Sequence, residues 1–280
     1  MLCPALTSAL RKMLLLPVLL SGFIPVCASA QGDLLIAPTR VVMDGRRSTE
    51  VILSNIGADE AVYRIELTLR RMNSDGSLSE IPEGEETDAE KQALEMIRYA
   101  PRRMTLPPGQ PQAVRISARP PADMPDGEYR VHMSFKAIPR PRPLTAEDSG
   151  TNGVSVRLIP VYGVTIPVIV RKGPVEADIT LSEARIARSG KGGDELHFHL
   201  TRSGTASAYG EIAVMKPDST EILYSVRGLA IYPELDARDV ILPLTAHQAQ
   251  SLRSGPVRIV YREMPETGSR EMASLTTTLR

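Results

Sequence analysis

The stretch VSVRLIPVYGVTIPVIVR, at residues 154–171, decides the fold class. An apolar or aromatic side chain stands at every even position, whereas the odd positions are mixed. Alternation with a period of two is typical of a β-strand that has one face against a core. At about 3.3 Å per residue the stretch would extend about 60 Å, which is longer than one small domain needs. We therefore predict that only its second half, from about Tyr162 to Val170, completes this protein's own first domain.

The first thirty residues differ in character from the rest of the chain. A basic pair at 11–12 precedes an apolar run over 13–26, and the small residues ASA follow at 28–30. This order predicts a secretory signal peptide over residues 1–30, and therefore export. Two prolines inside the run disfavour the alternative, a membrane anchor.

Composition narrows the classes of function. Both cysteines, Cys3 and Cys27, lie in the signal segment, so the remaining chain can form no disulfide and offers no thiol nucleophile. The 33 basic and 33 acidic residues balance, which argues against a nucleic-acid partner. No later stretch reaches the length of an apolar membrane span, so no membrane insertion is expected.

The chain from Leu34 onward consists of short strand-like segments separated by turn residues. The breaks contain Asp-Gly or Pro-Gly pairs, at Asp44-Gly45, Asp75-Gly76, Pro108-Gly109 and Asp126-Gly127. About seven strands at this spacing predict a β-sandwich of the immunoglobulin type over residues 31–173.

The pattern restarts after Gly173-Pro174, where six more strand-like segments predict a second, smaller β-sandwich over 174–280. One insertion interrupts the first sandwich: Thr87 stands three residues before Glu90, which predicts a capping box and a short solvated helix to about Ile97. The expected fold class is all-β, with two immunoglobulin-like sandwiches in tandem and a helical insertion in the first.

Signals of enzymatic chemistry are weak. His197 and His199 would share a strand face and form a hypothetical metal pair, but a zinc site needs three or four ligands. The segment SGKGGD, at 189–194, lacks the Ser or Thr that follows the lysine of a phosphate loop. We therefore predict a protein without catalytic residues, metal or cofactor.

Two basic residues stand in strands that are otherwise apolar. Arg40 precedes the run Val41-Val42-Met43, and Lys136 lies near the end of a mostly apolar segment. Such side chains commonly point to solvent. The alternative is that they face a cleft, in which case a buried cation requires an anionic partner such as a carboxylate on another chain.

At these residues the sequence resembles the periplasmic pilus-assembly chaperones of chaperone–usher systems. The stretch APTRVVM, at 37–43, is similar to the first-strand motif of that family, with Thr39 and Arg40 at its Thr-Arg pair. LPPGQPQAVRIS, at 106–117, resembles its Leu-x-Pro-Gly stretch, which ends in a strand arginine, here Arg115.

The third matching stretch is MPDGEYRVHMSFKAIP, at 124–139, which places Glu128 at the acidic position before the family's sixth strand. The resemblance covers about residues 33–174. Within this range, the long predicted strand of this chain at 154–171 corresponds to the family's seventh strand.

The resemblance implies a non-enzymatic chaperone that binds pilus or fimbrial subunits and delivers them to an outer-membrane usher. The subunits are immunoglobulin-like domains that lack their last strand, and the chaperone supplies its seventh strand in place of it. The donated side chains would be those of Val154, Val156, Leu158 and Pro160. Arg40 would hold the subunit's terminal carboxylate.

The resemblance also assigns Arg115 and Glu128 to an ionic contact near the domain junction. One departure concerns the family's second anchor, a lysine in the seventh strand, where this chain has Thr165. Lys136 or Arg157 would then serve as the second cation.

A different class of function stays open: a secreted, two-domain structural or adhesive surface protein. Self-association of the free protein is a further open alternative.

Overall fold

The computed structural model describes residues 34–139, 161–190 and 192–280. The predicted signal peptide lies outside these residues, as do Arg157 and the four predicted donor positions Val154, Val156, Leu158 and Pro160. The described chain is mostly strand, with two short helices, α1 (Asp88–Met96) and α2 (Ala246–Arg253). Neither described helix combines the length and hydrophobicity that a membrane crossing requires.

Two sheets of a first sandwich lie within residues 34–172. Its strands in chain order are β1 (Leu34–Ala37), β2 (Val41–Met43), β3 (Thr49–Asn55), β4 (Ala61–Thr68), β5 (Arg70–Met72), β6 (Leu78–Glu80), β7 (Ile97–Ala100), β8 (Arg103–Leu106), β9 (Gln112–Ala118), β10 (Gly127–Ile138) and β11 (Gly163–Lys172). One sheet has the order β1-β3-β9-β7 and the other β2-β11-β10-β4-β8, while β5 and β6 form a separate hairpin.

The sandwich follows from the period-two pattern, because alternate side chains of both sheets meet in one core. In β10, for example, Val131, Met133 and Phe135 are fully buried in the core. Their even-numbered neighbours project from the opposite face of the sheet.

The helix α1 begins with the predicted capping box. Thr87 Oγ1 accepts a hydrogen bond from the Glu90 N–H at 3.3 Å, and the Glu90 carboxylate accepts one from the Thr87 N–H at 2.8 Å. The prediction of a solvated helix was incomplete, since Ala93 and Met96 belong to the first core. A small and a flexible apolar side chain on one face let the helix pack against the first sandwich.

A second sandwich has its own core. Its strands are β12 (Ala177–Arg188), β13 (Asp194–Gly204), β14 (Ala208–Met215), β15 (Ile222–Ile231), β16 (Ala237–Leu244), β17 (Pro256–Glu263) and β18 (Glu271–Thr278). The sheet orders are β12-β13-β16 and β15-β14-β17-β18. The predicted fold class, all-β with two immunoglobulin-like sandwiches and a short helical insertion, is confirmed. The exact domain limits, 31–173 and 174–280, stay a prediction.

The β5–β6 hairpin of the first sandwich contacts the second sandwich directly. The Met72 N–H donates to the Glu234 carboxylate at 2.9 Å, and the Asp239 N–H donates to the Ser74 carbonyl at 3.0 Å. A small apolar cluster also contains residues of both sandwiches, including Ile169 and Tyr232. Polar and apolar contacts together therefore define the junction.

Candidate functional site

The first feature of the site is the outer edge of β11. Strand β10 pairs with β11 along the whole range 163–172, whereas β2 pairs with the opposite edge only at Val168–Val170. Among the described residues, no strand covers the outer edge of 163–167. Unpaired backbone N–H and C=O groups along an edge are a template for pairing with another chain.

The core-facing side chains of β11 become more exposed toward the start of the strand, next to this unpaired edge. Val168, Val170 and Ile166 are buried, whereas Val164 is 38% exposed and Tyr162, just before the strand, is 51% exposed. The prediction that the stretch belongs to the protein's own first domain from about Tyr162 agrees with the backbone pairing, since the Ala137 N–H donates to the Tyr162 carbonyl at 2.9 Å. Side chains buried in the core begin only at Ile166. Because the pairing with β2 stops at Val168, the strand beyond it lies at the rim of the sheet.

Arg40 lies immediately before β2, and the register of β2 and β11 places it beside Pro167. Its guanidinium points to the second sandwich. Nη1 donates to the Tyr232 hydroxyl at 3.1 Å and Nη2 to the Ser207 Oγ at 3.0 Å. The guanidinium carbon also lies 4.5 Å from the centre of the Tyr209 ring.

The partners of Arg40 are all neutral. In the part of the chain that the structure describes, no carboxylate lies within ion-pair distance of it. A guanidinium remains charged at any physiological pH. Arg40 is therefore a part-buried cation whose charge is not compensated by the described residues.

His132 of β10 lies opposite Pro167 of β11, and Arg40 lies on the other side of Pro167, so the three residues form one row across the sheet. It is only 1% exposed, and neither ring nitrogen has a hydrogen-bond partner among the described residues. Burial, followed by the nearby charges of Arg130, Arg70 and Arg40, lowers the pKa of His132 to about 3. The imidazole is therefore neutral.

This burial predicts a pH-dependent stability. The pKa of a histidine in an unfolded chain is about 6.5. Below that pH His132 binds a proton in the unfolded chain, whereas in the folded chain it stays neutral until about pH 3. The free energy of unfolding should therefore fall as the pH drops below 6.5, by about 2 kcal/mol at pH 5. Urea unfolding at pH 7 and pH 5 measures it.

A His132→Gln variant should lack this part of the pH dependence, whereas His247→Gln, at an exposed position of α2, should retain it. An unchanged pH dependence in His132→Gln would show that His132 is not its source.

The predicted second cation is not brought next to Arg40. Lys136 Nζ lies 3.4 Å from the Glu66 carboxylate in an exposed ion pair. It follows His132 by four residues, which is about 13 Å along the strand. At the family's lysine position, Thr165 Oγ1 lies 3.3 Å from Ser134 Oγ. A role for Lys136 as an anchor stays a prediction.

The predicted contact between Arg115 and Glu128 is not formed. Arg115 pairs with Glu50 at 2.9 Å on the exposed face of its sheet. Alternation explains this placement, because the neighbours Val114 and Ile116 occupy the core and turn Arg115 outward.

Glu128 has a different partner, Arg171, whose Nε lies 3.0 Å from its carboxylate. The Glu128 side chain is fully buried and also accepts the Ser207 N–H at 3.2 Å, so it does contact the second sandwich. Arg171 is directly opposite Glu128 in the β10–β11 pairing. A cross-strand pair of opposite charge in a hairpin was the sequence signal that could have identified it.

The second sandwich contributes junction residues that the sequence did not single out. Arg130 forms an ion pair with Glu234 at 2.5 Å, and its guanidinium lies 3.6 Å from the centre of the Tyr232 ring. Tyr209, Tyr232 and Glu234 come near the first sandwich only through the tertiary structure, so no local pattern marks them.

The two histidines considered for a metal pair have separate partners. His197 Nε2 lies 3.1 Å from the Glu195 carboxylate, and His199 Nδ1 lies 2.9 Å from that of Asp239. Within residues 34–139, 161–190 and 192–280, no group of three His, Cys, Asp or Glu residues could hold a metal ion.

Comparisons with known proteins give matches in structure. No protein-family model and no curated protein sequence matches the chain. The Escherichia coli chaperone DraB is 14% identical, with a TM-score of 0.45 over 89% of this chain and 97% of that chain. A structure of the Salmonella enterica SafA pilin in complex with the SafB chaperone matches at 15% identity and a TM-score of 0.43, covering 90% and 99%.

A third match is the complex of the chaperone CsuC with the tip subunit CsuE, from the archaic chaperone–usher Csu pili of Acinetobacter baumannii. It has 12% identity and a TM-score of 0.45, and covers 88% of this chain and 99% of that chain. All three of these structures contain a chaperone, and two of them hold it with a pilin or a pilus tip subunit, at low sequence identity to this chain.

Proposed function

We propose that this protein is a periplasmic chaperone that binds pilus or fimbrial subunits by donor-strand complementation and delivers them to an outer-membrane usher. One observation supports this function above the others. The alternate apolar side chains of β11 are buried in the protein's own core up to Ile166 but exposed at Val164. The outer edge of this part of the strand has no partner among the described residues.

This geometry suits an acceptor that lacks a strand. A subunit without its last strand exposes both unpaired backbone and empty core positions, and such a surface aggregates. The edge of 163–167 would add backbone hydrogen bonds, and alternate side chains would fill the core positions. The predicted donors Val154, Val156, Leu158 and Pro160 have the same parity as Val164, so they would continue its row.

Arg40 would set the register of the bound subunit. A guanidinium has five N–H donors, and the hydrogen bonds to Tyr232 and Ser207 use two of them. A subunit strand that pairs along 163–167 and ends beside Pro167 would bring its terminal carboxylate to the remaining donors. A charge-assisted hydrogen bond of this kind is short, directional and stronger than a neutral one.

Co-expression in a bacterial periplasm tests the function. A fimbrial subunit that lacks its last strand should be recovered in soluble form when this protein is present, and the two should co-purify. The same subunit with a complementary strand fused to its end should be soluble alone and should not bind, because its groove is already filled. Mass spectrometry identifies the bound chain.

Equal recovery of the incomplete subunit with and without this protein would contradict the proposal. Such a result would favour the alternative, a structural or adhesive surface protein, which needs no incomplete partner.

A further inference from the structure

We propose that Tyr232 and Ser207 of the second sandwich are positioning residues, which hold the Arg40 guanidinium in the orientation that receives a carboxylate. This inference rests on the proposed function. It adds that the second sandwich takes part in subunit recognition, although the pairing edge belongs to the first sandwich.

The hydrogen bonds of Arg40 orient it without neutralising it. Both acceptors are hydroxyl oxygens, at 3.1 Å on Tyr232 and 3.0 Å on Ser207. A carboxylate in either place would compete for the charge, whereas a neutral hydroxyl leaves the charge available to a ligand. Among the described residues, three N–H groups of the guanidinium have no hydrogen-bond acceptor and remain for that ligand.

Tyr232 is itself held rigidly. Its side chain is buried, and it packs in the apolar cluster with Met72 and Ile169 of the first sandwich. The Arg130 guanidinium covers its ring at 3.6 Å and is fixed in turn by the ion pair with Glu234. The Tyr232 hydroxyl is therefore a fixed acceptor.

Ser207 is held from the other side. Its N–H donates to the Glu128 carboxylate at 3.2 Å, and that carboxylate is fully buried and paired with Arg171. The positions of the two hydroxyls that accept hydrogen bonds from Arg40 are thus fixed by contacts with residues of both sandwiches. An arginine with a fixed side chain loses less conformational entropy when it binds a ligand, so positioning should strengthen carboxylate binding.

The test uses two synthetic peptides with the sequence of the captured subunit's C-terminal strand, one ending in a free carboxylate and the other in an amide. The protein without its predicted signal peptide, residues 1–30, is titrated with each. The ratio of the two dissociation constants isolates the contribution of the carboxylate. We expect the wild type to bind the acid peptide at least about thirtyfold more tightly than the amide, which corresponds to the lower end of the range for a hydrogen-bonded charge pair.

Tyr232→Phe and Ser207→Ala should each lower the acid preference severalfold, and the double variant should lower it about tenfold, with the amide peptide bound as before. Ser207→Ala keeps the backbone N–H that Glu128 accepts. The matched control is Tyr224→Phe, which removes a hydroxyl of the same sandwich that donates to the Pro243 carbonyl at 3.1 Å, and should leave the ratio unchanged.

Two results would overturn the positioning role while leaving the proposed function intact. The first is an unchanged acid preference in the double variant, and the second is an equal loss of affinity for both peptides, which indicates a purely structural effect. If the wild type bound acid and amide peptides equally, the carboxylate anchor itself would be wrong, and the positioning role with it.

Discussion

Arg40→Ala should produce a folded protein that no longer retains a subunit. The described partners of Arg40 are two hydroxyls and two aromatic rings, so the isolated protein loses two hydrogen bonds to neutral acceptors and two cation–π contacts, each worth about 1 kcal/mol, and leaves no charge unpaired. The complex would lose a hydrogen-bonded charge pair, which costs about 2–5 kcal/mol. Subunit affinity should therefore fall by at least about thirtyfold.

The control for Arg40→Ala is Arg64→Ala. Arg64 is an exposed cation on the same face of the same sheet, paired with Glu66 at 3.7 Å. Its removal changes the net charge equally but should leave capture unchanged, because the residue is remote from the row of Pro167. Pull-down of the incomplete subunit and thermal unfolding of each variant are the measurements. Normal capture by folded Arg40→Ala would refute the anchor.

Val164→Asp should abolish capture with little effect on the isolated protein. Val164 is 38% exposed in the free protein, so a carboxylate there stays hydrated. In the proposed complex the same position enters the subunit's core, where burying an unpaired charge costs several kcal/mol. The complex should weaken by more than about a hundredfold, as measured by titration or by the yield on size-exclusion chromatography.

Ile241→Asp provides the matched control for the strand. Ile241 lies in β16 of the second sandwich and is 53% exposed, so the substitution introduces the same charge at an exposed apolar strand position. Capture by this variant should equal that of the wild type. If Val164→Asp formed as much complex as Ile241→Asp, the edge of β11 would not be the binding surface.

The elements that the sequence predicted well depend on local patterns. Period-two alternation identified most strands of both sandwiches, although β18 was not among the six segments predicted for the second, and the spacing of Thr87 and Glu90 identified the start of α1. These predictions succeed because a side chain's face within a strand and a helix cap depend on residues only a few positions apart.

The predictions that failed or stayed incomplete concern contacts across the fold. Arg115 was assigned to the junction by resemblance, but the core positions of Val114 and Ile116 turn it to the exposed face. Arg171 takes its place beside Glu128, because the hairpin register sets them opposite each other. Strand alternation would have excluded Arg115, whereas the register was required to find Arg171.

The sequence by itself determined that this chain is an all-β protein with two sandwiches, and it predicted a strand longer than its own core requires. The tertiary structure alone decided where the core-facing row of β11 becomes exposed, at Val164, and what surrounds Arg40. Alternation is a property of neighbouring residues, whereas the environment of Arg40 joins it to Ser207 and Tyr232, which lie 167 and 192 residues away along the chain. Contacts of such separation depend on how two folded sandwiches pack, and no local pattern encodes them.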